Sequence, residues 1–206
     1  MMRRSLSRLA VALGLVIFGL ACSDSSGLDQ TVKPPAELRV ITLPPSHPPL
    51  YSDTVSFLAV KGQGAEAAIF FQDEEGGQGD EYLRLKLNGQ SLKARPDGTP
   101  FADGDTITIT LRVVDSDSIL FQFEPSGLAF NADHPAELKI RYAECQGDFN
   151  DDHHVNEEDT DILHQLAIWR QPLLTDPYTR LSSVRVDEED GIVAELTGFS
   201  RYAIAY

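Results

Sequence analysis

The chain has 206 residues, with 32 acidic side chains against 17 basic ones and a formal charge of −15 at pH 7. So acidic a chain is not drawn electrostatically to nucleic acid or to anionic lipid, and it attracts cations instead.

Arg3, Arg4 and Arg8 precede an apolar run from Leu9 to Leu20. That run suits the core of an export signal and falls short of the roughly 20 residues that span a bilayer. The segment closes in GLAC, with Cys22 just ahead of the polar SDSSG. This ending resembles the lipobox of bacterial lipoproteins, whose Cys becomes the lipid-bearing first residue of the mature chain. Residues 1–21 are therefore expected to be a lipoprotein signal peptide and Cys22 the lipidation site. The implied location is the bacterial cell envelope, with Ser23 pointing to the outer membrane. Plain secretion with cleavage near Ala21 is the alternative. Once Cys22 is acylated, Cys145 has no disulfide partner, and a lone Cys is expected to pack as a small apolar residue.

Residues 22–50 read as a Ser/Pro-rich tether. Six of the twelve prolines lie between Pro34 and Pro49, as three PP pairs. Proline fixes φ and withholds a donor, so an extended and unpacked stretch is expected. Within it, ELRVITL (37–43) has the composition of an added edge strand.

From residue 51 to 206 a two-residue alternation dominates. Ile107, Ile109, Leu111 and Val113 alternate with Thr and Arg; Leu83, Leu85 and Leu87 with Arg84 and Lys86; Leu138, Ile140 and Tyr142 with Lys139 and Arg141. Tyr202, Ile204 and Tyr206 close the chain in the same way. Each pattern predicts a strand with one wet face. Further strands are expected at Thr54–Val60, Ala67–Phe71, Ile119–Phe123, Leu166–Arg170, Ser183–Val186 and Ile192–Leu196. Turns are expected at 61–64, 74–81, 96–105 and 124–127. Helical periodicity is confined to Glu157–Gln165. Many short strands and frequent Gly/Pro turns predict one all-β domain, a sandwich or barrel.

An inserted segment, 145–165, interrupts this pattern. In DFNDDHHVNEED, Asp148, Asn150, Asp152, Asn156 and Asp159 occupy positions 1, 3, 5, 9 and 12, and His154 at position 7 offers its backbone carbonyl. A twelve-residue loop with oxygens at those positions wraps Ca²⁺, which takes six to eight hard ligands. The segment resembles one repeat of a dockerin, whose loops also carry Asp at position 12. The sharp turn at position 6 normally takes Gly, and here it falls on His153, which must turn left-handed at a cost of about 1–2 kcal/mol. Val155 at position 8 is expected to tie the loop to the protein beneath. No Lys or Arg stands between Arg141 and Arg170, and acids that repel one another favour a neutralising cation. A solvated acidic loop and a zinc site on His153 and His154 are the competing readings.

FEPSGLAFNADHPAELKIRY (123–142), LAIWRQ (166–171) and LSSVRVDEEDGIVAELTGFSRYAIAY (181–206) together resemble the ZU-type β-sandwich domain of ankyrins, zona-occludens proteins and netrin receptors, in a bacterial secreted form. NGQSLKARPDGTPFADGDTITITLRV (88–113) fits the same pattern, and the likeness is weak over 51–79. The resemblance implies an immunoglobulin-like antiparallel sandwich that binds or spaces and has no active site, with the calcium loop as an insertion.

No GxSxG, HExxH or phosphate-binding Gly loop occurs. His47 and His134 adjoin prolines, and His164 ends the short helix. The expectation is a monomeric, non-enzymatic envelope lipoprotein that engages an envelope protein or glycan, with one structural Ca²⁺. A calcium-assisted carbohydrate-binding module is the second reading and an envelope hydrolase the third. Phe121, Phe123, Phe130, Trp169, Phe199 and Tyr202 discriminate between the first two: a scaffold buries them, whereas a glycan module exposes two or three on one face.

Overall fold

A computed structural model of the chain describes residues 31–206. The export signal, Cys22 and the first residues of the expected tether lie outside them. Among the described residues the strands are β1 (Val32–Lys33), β2 (Thr54–Val60), β3 (Ala65–Gln72), β4 (Gln78–Leu87), β5 (Leu92–Ala94), β6 (Thr106–Val113), β7 (Leu120–Glu124), β8 (Ala129–Phe130) and β9 (Ala136–Arg141). Helix α1 (Glu157–Gln165) follows, and then β10 (Ala167–Gln171), β11 (Tyr178–Arg180), β12 (Ser183–Val186), β13 (Gly191–Leu196) and β14 (Arg201–Ala205).

The alternation in the sequence becomes two antiparallel sheets packed as a sandwich. The larger has the order β1-β11-β10-β14-β7-β6-β2 and the smaller β12-β13-β9-β4-β3; β5 and β8 form a separate pair. On β6, Ile109 and Leu111 are buried while Thr106, Thr108 and Arg112 face solvent. Leu83, Leu85, Leu138, Ile140 and Ile192 of the smaller sheet meet Phe121, Phe123, Ile168, Tyr202 and Ile204 of the larger in one core. Aromatic contacts run through it: Phe71 to Tyr82 at 4.5 Å, Tyr82 to Phe121 at 5.2 Å, Phe123 to Tyr202 at 5.2 Å and Phe130 to Phe199 at 4.9 Å between centroids. Each such side chain contributes roughly 1.5–3 kcal/mol by leaving water.

Two expectations need correction. The stretch 31–50 is not an unpacked tether, because Leu38, Ile41 and Leu43 are buried. Ile41 N–H donates to the Ile204 carbonyl and Leu43 N–H to the Asp117 carbonyl. Three buried apolar side chains outweigh the flanking prolines, which only punctuate the segment. The turn expected at 74–81 is also shorter, since β3 and β4 stay paired out to Gln72 and Gln78. A side chain at position 79 would sit 2.9 Å from the Asp73 nitrogen, so Gly79 lets the two backbones approach there.

The insertion carries the chain from β9 in the smaller sheet to β10 in the larger. It is one of several connections between the two sheets, alongside β2 to β3, β11 to β12 and β13 to β14.

Candidate metal-binding loop

After β9, a short 3-10 turn (Ala143–Cys145) and two left-handed residues, Gln146 and Gly147, deliver the chain to Asp148. Asp148 organises the turn that follows. Its Oδ1 accepts the Asp151 N–H at 2.8 Å and its Oδ2 the His153 N–H at 2.9 Å. His153 has φ 64°, the left-handed conformation that position 6 demands, and Asp151 has φ 60°. Two charge-assisted bonds from Asp148 thus hold strained backbone without a glycine.

The next polar residues fold inward on one another. Asn150 Oδ1 accepts the Asp152 N–H at 3.1 Å, and Asp152 Oδ1 accepts the His154 N–H at 2.8 Å. Asn150 Nδ2 reaches Asp152 Oδ2 at 3.3 Å, and Asn156 Nδ2 donates to the His154 carbonyl at 3.2 Å. The rings of His153 and His154 project into solvent.

At the loop's end Asn156 caps α1. Its side chain accepts the Glu158 N–H at 2.7 Å, while Asp159 Oδ2 accepts the Asn156 N–H at 2.9 Å, which completes a capping box. The other Asp159 oxygen accepts the Phe149 N–H at 2.8 Å, so this carboxylate ties both ends of the loop together. Asp159 is buried. Burial raises its pKa, but the backbone donors of Phe149, Asn156 and Asn150 outweigh that and leave it below the ordinary carboxylate value.

Val155 does not anchor the loop: it is 68% exposed. Phe149 does so instead, buried with its ring edge-on to Tyr142 at 5.8 Å, and Ile162 of α1 is buried in the same core. The sequence pattern marks position 8 as apolar, and here an aromatic at position 2 reaches the core first.

Asp148, Asp151 and His153 lie exposed or half-exposed with one potential ligand atom each, all within 4.8 Å of one another, and this group is able to hold a metal ion. Asp148 is the member it shares with the expected ligand set. Asp151 and His153 join because the Asp148 carboxylate draws their backbone toward itself, and no spacing rule for a calcium loop flags position 4. Among the described residues the expected ligands Asp152 and Asp159 lie outside this group, their oxygens accepting backbone N–H groups of the loop. The oxygens of Asp148, Asn150, Asp152, Asn156 and Asp159 and the His154 carbonyl are nonetheless of the hard type that Ca²⁺ takes. Each carboxylate retains lone pairs beyond the backbone N–H groups it accepts.

Cys145 is buried beneath the loop, its Sγ 3.8 Å from the Thr42 carbonyl. Burial pushes its thiol up to about 12, with smaller contributions from Glu144 and Asp148. It is a packing residue.

Phe121, Phe123, Phe130, Trp169, Phe199 and Tyr202 are all buried. No helix among the described residues is long and apolar enough to cross a membrane. No family model, curated protein or solved structure matches the chain.

Proposed function

We propose that the protein is a non-enzymatic, membrane-tethered module of a bacterial cell envelope: a ZU-type β-sandwich anchored through lipid on Cys22, with one structural Ca²⁺ in the inserted loop. The observation that carries the metal reading is the Asp148–His153 turn. A non-Gly residue accepts a left-handed conformation only where its surroundings over-determine it. Here they do so at the one position where a twelve-residue calcium loop turns sharply. The ligands are Asp148, Asn150, Asp152 and Asp159 through side chains, His154 through its carbonyl, and Asn156 directly or through water. The bound ion neutralises an acidic segment that contains no Lys or Arg and orders the connection from β9 to β10.

The buried aromatics favour the scaffold over a glycan module with an aromatic platform. The absence of any catalytic motif in the sequence supports a binding or spacing role over hydrolysis.

Calcium titration of the purified domain, followed by thermal unfolding, tests the metal reading. With His153 in the turn, a weak affinity in the range of roughly 10⁻⁵–10⁻³ M is expected. Millimolar Ca²⁺ then raises the melting temperature through linkage, and Asp148→Ala abolishes the rise. A melting temperature that Ca²⁺ leaves unmoved in the native chain returns the loop to a solvated acidic turn.

A further inference from the structure

On the outer face of the larger sheet, pairing register places Arg112, Gln122, Arg201 and Gln171 side by side on the four adjacent strands β6, β7, β14 and β10. Arg112 pairs with Gln122, Gln122 with Arg201, and Arg201 with Gln171. Neighbouring strands lie about 4.8 Å apart, so the two guanidinium groups stem from backbones roughly 10 Å apart with an amide between them. The row lines a groove of about 300 Å³, at the small end of ligand sites. The Pro172–Leu174 loop walls one side, with Leu173 64% and Leu174 67% exposed. Glu124 and Ser126 close the other, Glu124 accepting from Gln122 Nε2 at 3.2 Å and from the Ser126 N–H at 2.7 Å.

Three observations distinguish this groove from an ordinary polar sheet face. In a chain of charge −15, two arginines share the groove. Among the described residues neither has a carboxylate within salt-bridge distance. Gln171 is 2% exposed, and its Nε2 donates at 3.0 Å to both the Leu174 and Asp176 carbonyls, which fixes the amide's orientation. Its Oε1 is left buried without a donor, while on the neighbouring strand Arg201 Nε is buried without an acceptor. The two atoms belong to paired residues of adjacent strands, and the Tyr178 hydroxyl also reaches the Arg201 side chain. A ligand hydroxyl is able to donate to the acceptor and accept from the donor. A carboxylate satisfies only the arginine.

We infer that this groove binds an acidic saccharide, one sugar hydroxyl bridging Gln171 and Arg201 and the sugar carboxylate pairing with Arg112. Leu173 and Leu174 offer the apolar wall against which the C–H face of a sugar ring packs. Both atoms are buried, so this contact requires the Leu173–Leu174 loop to move aside. This reading is independent of the metal loop and needs no aromatic platform.

Calorimetric titration of the full mature chain with a trigalacturonate, with the neutral galactose trisaccharide and with a short peptide ending in a free carboxylate tests the inference. The acidic sugar is expected to bind, and chelation of divalent ions is expected to leave that binding unchanged. Arg112→Ala alters an exposed side chain and keeps the fold; loss of a charge-assisted hydrogen bond should weaken binding about tenfold or more. Arg201→Lys, which lacks Nε at that position, is expected to weaken it comparably. Tyr51→Ala, at an exposed residue outside the groove, is expected to change nothing. Absence of acidic-sugar binding at millimolar ligand, equal binding of the neutral sugar, preference for the peptide, or affinity unmoved by Arg112→Ala would each overturn it. So would an ordered water that bridges Gln171 Oε1 and Arg201 Nε and persists in the presence of saturating sugar.

Discussion

Trp169 donates its indole Nε1–H to the Ala205 carbonyl at 3.0 Å, joining the first strand after the acidic loop to the last strand of the chain. The same indole carries the Lys33 ammonium 5.4 Å from its centroid, and Leu38 and Tyr178 pack with it in a second small core on the outer face of the larger sheet. Three distant parts of the sequence converge on one side chain. The N-terminal arm therefore belongs to the domain.

The first prediction concerns that arm. Ile41 is wholly buried and its N–H donates to Ile204, so Ile41→Ala should destabilise the domain by about 2–5 kcal/mol. Thr42→Ala next to it changes an exposed side chain and should fall within about 0.5 kcal/mol. Chemical denaturation of the two variants separates a packed arm from a tether, because a tether predicts equal and negligible effects.

Strand β14 lies between β10 and β7 in the larger sheet, with Tyr202 and Ile204 wholly buried. Deleting 200–206 removes that central strand and strips both neighbours of their partners. With total stabilities of roughly 5–15 kcal/mol, such a loss should leave the chain unfolded. Circular dichroism of the truncated chain checks this; a cooperative thermal transition would show that β14 is dispensable.

Where a segment alternates over five or more residues, it is legible in the sequence. Thr54–Val60 lies where its alternation puts it, and the helix Glu157–Gln165 where its helical periodicity does; Ser183–Val186 is found with only four residues. The strands that escaped, β1, β5, β8 and β11, have two or three residues, too few to show a period, and they exist because a neighbour pairs with them. The segment 37–43, which has the composition of an edge strand, packs on the domain through isolated bridges of Val40 to Ala205 and Thr42 to Ser118 and forms no continuous strand. In the loop, the left-handed turn at His153 was legible from spacing. Val155's exposure was not, because which apolar residue meets the core depends on how Phe149 packs on Tyr142, a tertiary fact.

The anchor yields a direct experiment. If Cys22 bears lipid, Cys22→Ala should move the protein from the membrane fraction to the soluble envelope fraction. Mass spectrometry of the native N-terminus should find an acylated Cys22. An unmodified N-terminus at another residue would leave secretion without an anchor.

Cys145 supplies the pH prediction. Its folded thiol is pushed up to about 12, above the ordinary thiol value of about 8.5. A raised acid pKa means that the folded chain holds its proton longer than the unfolded one. The resulting stability is full below the unfolded value and is lost as pH rises through that value toward about 12. Stability should therefore decline across the alkaline range, and less steeply in Cys145→Ala once its lower starting stability is subtracted. At neutral pH a thiol-alkylating reagent should label Cys145 only after unfolding; rapid labelling of the native protein would show an accessible thiolate.

The last prediction separates the residue that the loop pattern nominates as anchor from the one the structure uses. Phe149 N–H donates to Asp159, and its buried ring meets Tyr142, so one residue fixes the loop both to its own cap and to the core. Phe149→Ala should cost toward the low end of the about 3–5 kcal/mol typical of buried aromatics, since the ring sits at the edge of the core. The same change should weaken Ca²⁺ binding, because Asp148 and Asn150 flank Phe149 and would lose their fixed positions. Val155 is 68% exposed, so Val155→Ala should shift stability by less than about 0.5 kcal/mol and leave calcium affinity unchanged. Denaturant unfolding with and without Ca²⁺ reads both quantities for both variants. Equal losses would mean that Val155 is seated in the folded protein and that the loop hangs from position 8 after all.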